Sequence, residues 1–309
     1  MRTQLTAFLT LTIAAFGCME PADDQPTPPD TEHYQYVVDS LHFATSPEEA
    51  LALGVDLDGD AAGRHDNGLG MALAIVAGPA AFDLDLETRT LIDSGEILHL
   101  IDVKTTSMDR ANGVSVTVLH GIDRDGDSSD NFHGDETFDV DPAPGSGTMS
   151  GAIIDGNVDV DSGRIPLAVT FPSLDQRFIV HLSAATMRGR IDEDGVTGTL
   201  AGAISVDEVR GTVLPLLYAG LSNIVARDCR GGTCVPDSFG ETLVSSFDRN
   251  DDGALSYDEL TGSALLGALL SPDLDLFDAA GNACVHCDGV KDALSIAVGF
   301  TAVPAVINE

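Results

Sequence analysis

ILHLIDVK, residues 97–104, opens a series of short apolar and β-branched runs that Gly, Asp and Pro separate from one another. Similar runs follow at residues 114–119, 148–154, 165–171, 178–182 and 196–204. Regular strands with turn residues about every ten positions are typical of antiparallel sandwiches and jelly rolls. Residues 96–205 are therefore predicted to form a central antiparallel β-sandwich or jelly-roll-like domain.

Helical patterns are predicted on both sides of this β-domain. Before it, SPEE at residues 46–49 has the composition of a helix start, and GLGMALAIV at residues 68–76 predicts a second helix. After it, SVDE at residues 205–208 is a capping box that begins an apolar helix. The predicted class is α+β, with a helical segment over residues 36–95 and a helical domain over residues 206–309 around the β-domain.

The first 35 residues have the composition of an export signal followed by a tether. An apolar run follows Arg2, and its length suits a signal peptide and is too short to span a bilayer. The sequence Ala15-Phe16-Gly17-Cys18 resembles a bacterial lipobox, which implies a signal peptide over residues 1–17 and a lipid on Cys18. Residues 18–35, rich in Pro and acidic residues, are predicted to be a lipid-anchored flexible linker.

The lipobox resemblance implies a location on the cell envelope. Met19 stands where an Asp would indicate retention in the inner membrane, so an outer-membrane or cell-surface lipoprotein is implied. Ordinary export, to the periplasm or the medium, is the alternative. No later apolar segment long enough to span a bilayer is evident, so a lipid is predicted to be the membrane anchor.

The net charge of −35 indicates which partners to expect. A polyanion gains nothing by approaching phosphates, so nucleic acid is not an expected partner. Calcium ions are the expected partners, because many Asp residues stand in short alternating clusters. Adaptation to a saline habitat is the alternative explanation of the acidity, and it predicts acidic residues scattered over the surface.

The most specific cluster is DRNDDGALSYDE, residues 248–259, with capping boxes at residues 238–241 and 256–259. It resembles the calcium loop of the EF-hand family. The resemblance places Gly253 at a tight turn and Leu255 where a neighbouring loop would pair with this one. An Asp-rich turn that binds nothing is the alternative. The ligands of Ca²⁺ that the resemblance implies are Asp248, Asn250, Asp252, Ala254 through its carbonyl, Ser256 and a bidentate Glu259.

Three further Asp clusters are candidate calcium sites, each with the alternative of a solvated turn. The third is split by an insertion and is predicted to pair with the 248–259 loop, because EF-hands usually occur in pairs. A helix over residues 291–300 is predicted to follow it. The clusters are an EF-hand-like loop with Asp56, Asp58, Asp60 and Asp66; a loop similar to those of thrombospondin type 3 and dockerin-like modules with Asp123, Asp125, Asp127 and Asp130; and the split loop with Asp273, Asp275, Asp288 and Asp292.

Four cysteines remain besides Cys18: Cys229, Cys234, Cys284 and Cys287. An even number in an exported chain indicates disulfides. Pairing within each neighbouring couple is the first choice, and cross-pairing, which would close a longer loop, is the second. A zinc site of four thiolates is a further alternative.

These features together predict a calcium-binding cell-envelope lipoprotein in which Ca²⁺ acts mainly as a structural staple. The alternative is a surface adhesion or assembly module whose β-domain binds a protein or glycan partner. An enzyme is not expected, because no nucleophile, metalloprotease or phosphate-binding motif stands in a supporting context. A hydrolase that uses acidic residues is the remaining enzymatic alternative.

Overall fold

Strands dominate the architecture, and ten of those in the described residues belong to one sheet. The computed structural model describes residues 31–59, 65–80, 84–170, 177–278, 283–285 and 288–308. Two short strands, β9 and β10, form a separate hairpin. In chain order the strands are β1 (Glu32–His42), β2 (His99–Thr105), β3 (Arg110–Asp123), β4 (Thr137–Val140), β5 (Gly147–Ile154), β6 (Asn157–Thr170), β7 (Arg177–Asp192), β8 (Gly195–Ser205), β9 (Cys229–Arg230), β10 (Thr233–Cys234), β11 (Ala293–Pro304) and β12 (Val306–Asn308).

The sheet closes on itself through β3, which is long enough to pair with two neighbours on the same edge. Residues 110–118 of β3 pair with β5, and residues 121–123 pair with β4. The closed ring of antiparallel neighbours runs β1, β2, β3, β5, β6, β7, β8, β11 and back to β1. Strands β4 and β12, which are parallel to each other, extend from this ring at β3. The result is a barrel-like antiparallel sheet.

The predicted α+β class is broadly confirmed, but the β-domain extends beyond residues 96–205 and its sheet closes as a ring instead of two stacked layers. The linker predicted up to residue 35 and the helical segment predicted from residue 36 are corrected by β1, which spans Glu32–His42. The helix predicted over residues 291–300 is wrong, because Ala293–Pro304 is a strand. Strand β11 is buried along most of its length on both faces, so its sequence lacks the polar alternation that marks a half-exposed strand.

Apolar side chains fill the interior of the barrel. Val116 on β3 and both Met149 and Ile153 on β5 are fully buried in one continuous cluster. Burial of each such side chain contributes roughly 1.5–3 kcal/mol. The centre of the barrel is therefore a packed core, and candidate functional groups lie in the connections between the strands.

Two long connections of the barrel contain the helices. The hydroxyls of Ser46, Ser205, Ser238 and Ser256 each accept a hydrogen bond from the backbone N–H three residues later, which confirms the predicted helix starts. Between β1 and β2 lie α1 (Pro47–Leu53), α2 (Gly68–Ala80) and α3 (Leu84–Asp93). Between β8 and β11 lie α4 (Val206–Glu208), a π-helical turn (Val209–Val213), α5 (Leu214–Asp228), α6 (Phe239–Phe247), α7 (Tyr257–Thr261) and α8 (Ala264–Leu269).

The start of α2 is attached to the outer face of β11 by buried polar groups. Asn67, 5% exposed, accepts hydrogen bonds from the backbone N–H of Ala297 at 2.8 Å and of Gly70 at 3.0 Å. The N–H of Gly68 donates to the hydroxyl of Ser295 at 2.7 Å. These bonds cover β11 from outside and satisfy polar groups that burial would otherwise leave unpaired.

The continuous helix Val206–Asp228 corrects one further expectation. Its 23 residues and its mean hydropathy of 1.3 would suffice, by length and composition, to cross a membrane, and 17% of its most apolar stretch is buried. Its apolar residues Leu217, Leu221 and Val225 pack in a cluster with residues of α6, α7 and α8. The sequence predicted an apolar helix after the capping box at residues 205–208, but not that it is long and apolar enough to meet this criterion.

His42, at the end of β1, contacts a carboxylate from each of two helices. Its Nδ1 lies 2.5 Å from Oδ2 of Asp85 and its Nε2 lies 2.8 Å from Oε1 of Glu49, so the protonated ring ties β1 to α1 and α3. The hydrogen bond to Glu49 first, and then that to Asp85, raises the pKa of His42 above its ordinary value of 6.5.

A pH dependence of stability follows from His42. Because its folded pKa is raised, its contribution is complete below the unfolded pKa and is lost as the pH rises through the folded pKa. We expect a loss of about 1 kcal/mol or less, since the side chain is 43% exposed and solvent screens the pair. Urea unfolding of the protein and of His42→Gln at about pH 6 and about pH 8 measures it. If His42→Gln loses as much stability between the two pH values as the unchanged protein, the pH dependence does not come from His42.

Candidate metal centres

The loop over residues 248–259 joins α6 to α7 and bends tightly at its middle. Asp251 and Gly253 have φ values of 59° and 75°, in the left-handed region that Gly adopts freely and Asp tolerates. Helix α6 ends at Phe247, and Ser256 caps α7 in a reciprocal capping box with Glu259. The segment is therefore a helix, a compact twelve-residue loop and a second, short helix.

Backbone amides of the loop hold the polar side chains of its first half around one turn. Asp248 accepts hydrogen bonds from the N–H of Asp252 at 3.3 Å and of Gly253 at 2.8 Å. Oδ1 of Asn250 accepts from the N–H of Asp252 at 2.9 Å, and Oδ1 of Asp252 accepts from the N–H of Ala254 at 2.9 Å. Three oxygen-bearing side chains thus face the same short stretch of backbone.

Glu259 links the second half of the loop to the first. Its Oε1 accepts from the N–H groups of Arg249 at 3.1 Å and Asn250 at 3.3 Å, and its Oε2 accepts from the N–H of Ser256 at 3.0 Å and from its hydroxyl at 2.7 Å. These bonds, that of the Ser256 hydroxyl first, lower the pKa of Glu259 to about 2. The carboxylate is therefore ionised at neutral pH, and its hydrogen bonds join the end of the loop to its beginning.

Apolar contacts fix this loop against the helices. Leu255, the position expected to face a second calcium loop, is 5% exposed and packs instead with Leu243 of α6, Val225 of α5 and Leu260 of α7. On the other side, a Cβ on Gly253 would lie 2.6 Å from the Cα of Gly232 in the turn between β9 and β10. The described neighbours of the loop are thus helices and the β9–β10 hairpin.

A disulfide closes the hairpin that touches the loop. Cys229 and Cys234 are joined with an S–S distance of 2.04 Å, which confirms the predicted local pairing for this couple. Their sulfurs are bonded to each other and are not a pair of thiolate ligands for zinc. Cys284 is also disulfide-bonded, and Cys287 lies outside the described residues.

The first Asp cluster brings three carboxylates together beside α2. Oxygens of Asp56, Asp58 and Asp66 lie within 4.8 Å of one another. Asp66 accepts from the N–H of Leu57 at 2.8 Å, and Nζ of Lys291 lies 3.8 Å from Oδ2 of Asp58. Burial raises the pKa of Asp66 to about 6. Asp60 lies outside the described residues.

The carboxylates of the split Asp cluster accept hydrogen bonds from backbone N–H groups. Asp292 accepts from the N–H groups of Leu276 at 3.0 Å and Phe277 at 3.1 Å, and Asp273 accepts from the N–H of Ser295 at 2.8 Å. Asp275 is 2% exposed; its Oδ2 accepts from the N–H of Gly289 at 2.8 Å, and its Oδ1 has no hydrogen-bond partner. Asp288 accepts from the N–H of Val290 at 2.9 Å. Two of the four predicted ligands, Asp273 and Asp292, therefore fasten loops to β11.

The split cluster is not placed as the sequence predicted. Leu274 and Leu276 pack with Ala203 and Ala293 of the barrel and with Leu57 of the first cluster. Lys291 contacts Asp58 of that same cluster. The neighbours of the split loop are accordingly Leu57 and Asp58 of the first cluster, whereas Leu255 of the 248–259 loop belongs to a different apolar cluster.

The loop between β3 and β4 gathers a different set of carboxylates from the one that the spacing predicted. Oxygens of Asp125, Asp130 and Glu136 lie within 4.8 Å of one another. Asp123 accepts from the N–H of Gly126 at 2.9 Å, and Asp127 accepts from the hydroxyl of Ser129 at 2.7 Å, so both organise turns. The sequence analysis did not identify Glu136, because it follows the Asp repeat by six residues and its proximity depends on the path of the whole loop.

Comparison with family models, with curated proteins and with solved structures gave no match for this chain. Its candidate function therefore rests on its own residues.

Proposed function

We propose that this protein is a calcium-binding protein of the cell envelope and that Ca²⁺ on the 248–259 loop fastens its helices together. The observation that carries the proposal is the arrangement of Asp248, Asn250 and Asp252, whose side-chain oxygens are held around one turn by the loop's own amides. Calcium is a hard cation that takes six to eight oxygen ligands, and carboxylate and amide oxygens suit it.

Glu259 supplies the other side of the proposed site. It is ionised at neutral pH, and its Oε1 already lies within hydrogen-bonding distance of the N–H groups of Arg249 and Asn250. A cation bound here would be shared by the residue that ends the loop and by those that begin it. Binding would thus couple the end of α6 to the start of α7.

The packing of the loop supports a structural role over a sensing role. Calcium sensors open a pair of helices and expose an apolar groove. Here Leu255 and Leu260 are already buried against Leu243, and Gly253 abuts the disulfide hairpin. Opening the helices would expose this cluster, so a bound ion is expected to stabilise the arrangement without rearranging it.

The proposed location rests on the N-terminal sequence. A signal peptide over residues 1–17, Cys18 in a lipobox-like context and an acidic, Pro-rich tether support an outer-membrane or cell-surface lipoprotein. The Cys229–Cys234 disulfide is compatible with an oxidising compartment outside the cytoplasm. Extracellular calcium is abundant enough to keep weak sites filled.

Calorimetric titration with calcium is the direct test of the 248–259 site. We expect the chain without residues 1–18 to bind with a dissociation constant of about 0.1–1 mM, typical of extracellular modules, and Glu259→Gln to bind at this loop at least about tenfold more weakly. Asp251→Asn is the matched control, because it removes the same charge from the same loop at a position that is not a predicted ligand. Equal titration curves for Glu259→Gln and the unchanged chain would refute the proposal.

The lipid anchor has its own test. We expect cells that express the full chain to incorporate a labelled fatty acid into it, and Cys18→Ser to abolish the label and release the protein from the membrane fraction. Labelling that persists in Cys18→Ser would contradict the anchor at Cys18, whatever the outcome of the calcium titration.

A further inference from the structure

The connection between β3 and β4 contains three carboxylates that face one another. Oxygens of Asp125, Asp130 and Glu136 all lie within 4.8 Å of one another. At most a few tenths of an ångström of closure brings three such oxygens to 2.3–2.6 Å from a single ion, the usual range for calcium. Among the described residues no ion pair joins a basic side chain to any of the three, and the nearby Arg124 pairs with Asp139. Their mutual repulsion is thus not offset by a basic residue of the described chain.

A second observation is independent of these charges. Asn131 is 1% exposed, and neither its Oδ1 nor its Nδ2 has a hydrogen-bond partner. Oδ1 of the adjacent Asp130, a member of the carboxylate group, is likewise buried without a partner. Buried amides and carboxylates in folded proteins are almost always satisfied, and orphaned groups on two adjacent residues indicate a missing partner such as a bound ion.

The side chain of Asn131 lies against the turn at Gly95. Its Nδ2 lies 3.3 Å from the place that a Cβ on Gly95 would occupy, and Oδ2 of Asp123 lies 4.0 Å from that same point. The amide is therefore buried between the β3–β4 loop and the turn at Gly95, on the residue that follows Asp130. Positive φ values at Gly126 and Gly134, 76° and 97°, allow the loop to fold back around this space.

We propose that Asp125, Asp130 and Glu136, together with the buried amide oxygen of Asn131, bind a calcium ion at this loop. The donors named are all oxygens, with no imidazole or thiolate, which suits a hard cation and disfavours zinc or copper. An ion here satisfies Oδ1 of Asp130 and Oδ1 of Asn131 and compensates the clustered negative charge. Nδ2 of Asn131 is then free to donate to a water of the ion's shell.

The proposed ion secures the two strands that lie outside the barrel. The backbone carbonyl of Glu136 accepts a hydrogen bond from the N–H of Val306 at 2.8 Å, at the start of the pairing between β4 and β12. Phe132, next to Asn131, packs in a cluster with Phe138 of β4 and Ile307 of β12. Calcium at this loop therefore sets the position of β4 and, through it, of β12.

The test is calcium titration in the Glu259→Gln background, which separates this site from the one at residues 248–259. We expect a calcium-binding event to remain there and to weaken at least about tenfold when Glu136→Gln is added. Asp127→Asn is the control in the same loop: it belongs to the Asp repeat but not to the three-carboxylate group, so its curve should match the background. Loss of binding in Asp127→Asn but not in Glu136→Gln, or equal curves with and without Glu136→Gln, would overturn the proposal.

Asn131→Leu gives a second readout that does not depend on the acidic residues. If no ion binds, replacing an orphaned buried amide by an apolar side chain of similar size is neutral or stabilising in all conditions. If the ion binds as proposed, Asn131→Leu weakens calcium binding at least about tenfold and removes the calcium-dependent protection of the Val306 amide from hydrogen exchange. Unchanged affinity and unchanged protection in Asn131→Leu would exclude Asn131 as a ligand and overturn this part of the site.

Discussion

Gly151→Ala is expected to destabilise the barrel by about 3 kcal/mol or more, because the added methyl group has no space. A Cβ on Gly151 would lie 2.1 Å from the carbonyl oxygen of Asp159 and 2.8 Å from the Cα of Val160. Both atoms are backbone of β6, which pairs with β5 in this register, so no side chain can turn away to relieve the clash. Strand β5 also closes the ring against β3. Urea unfolding followed by circular dichroism measures the loss.

Gly267→Ala is the matched control for this substitution. Gly267 lies inside α8, and a Cβ there meets nothing within 4 Å apart from its own helix backbone and chain neighbours. The same chemical change should therefore stabilise the protein by about 0.5–1 kcal/mol, since Ala favours helix over Gly. If Gly151→Ala unfolds within about 1 kcal/mol of the unchanged protein, the close approach of β5 and β6 is not as described.

Calcium is expected to raise the melting temperature of the protein. Part of that rise comes from binding at the 248–259 loop, and Glu259→Gln should remove most of this part. A ligand that binds only the folded state at ten times its dissociation constant stabilises it by about 1.4 kcal/mol. For a domain of this size that corresponds to a rise of about 2–3 °C. Gln keeps one oxygen at position 259 but loses the charge and the bidentate contact that the proposed site requires. Thermal unfolding with excess calcium and with chelator measures the rise.

Asp251→Asn serves again as the comparison, because Asn tolerates the φ of 59° at this position and the net charge of the loop changes by the same amount. Its calcium-dependent rise should equal that of the unchanged protein. If Asp251→Asn and Glu259→Gln lose the rise equally, calcium acts through general screening of negative charge and not through a site at residues 248–259.

Features that depend on a few neighbouring residues were predictable from the sequence. The four helix starts depend on a Ser and the N–H three residues later, and each lies where the sequence placed it. Within residues 97–204, the predicted strands have alternating apolar and polar residues or are bounded by turn residues, and the structure has strands in this region. The local disulfide between Cys229 and Cys234 belongs to the same group, since five positions separate the two residues.

Features that depend on distant partners were not predictable in this way. Strand β11 has small and apolar residues on both faces because the start of α2 and the side chains of Val55 and Leu57 cover its outer side. A run without alternation cannot be told from a helix by periodicity alone. Glu136 and Asn131 likewise acquire their significance only when the β3–β4 loop folds back on itself. Leu57, which packs in one cluster with Leu274 of the split Asp loop, is more than half of the chain away from it in sequence.

The pairing of β1 with β11 determines when this protein can finish folding. Thr301 donates a hydrogen bond to Asp39 at 2.6 Å although the two residues are separated by 262 positions, and six residues of β1 are registered against β11. Until β11 has been synthesised, β1 and β8 each remain an open edge. Contacts of such high sequence separation form late and make folding slow. The growing chain therefore exposes edges prone to aggregation for most of its synthesis, and a chain that stops before residue 293 can never close its barrel.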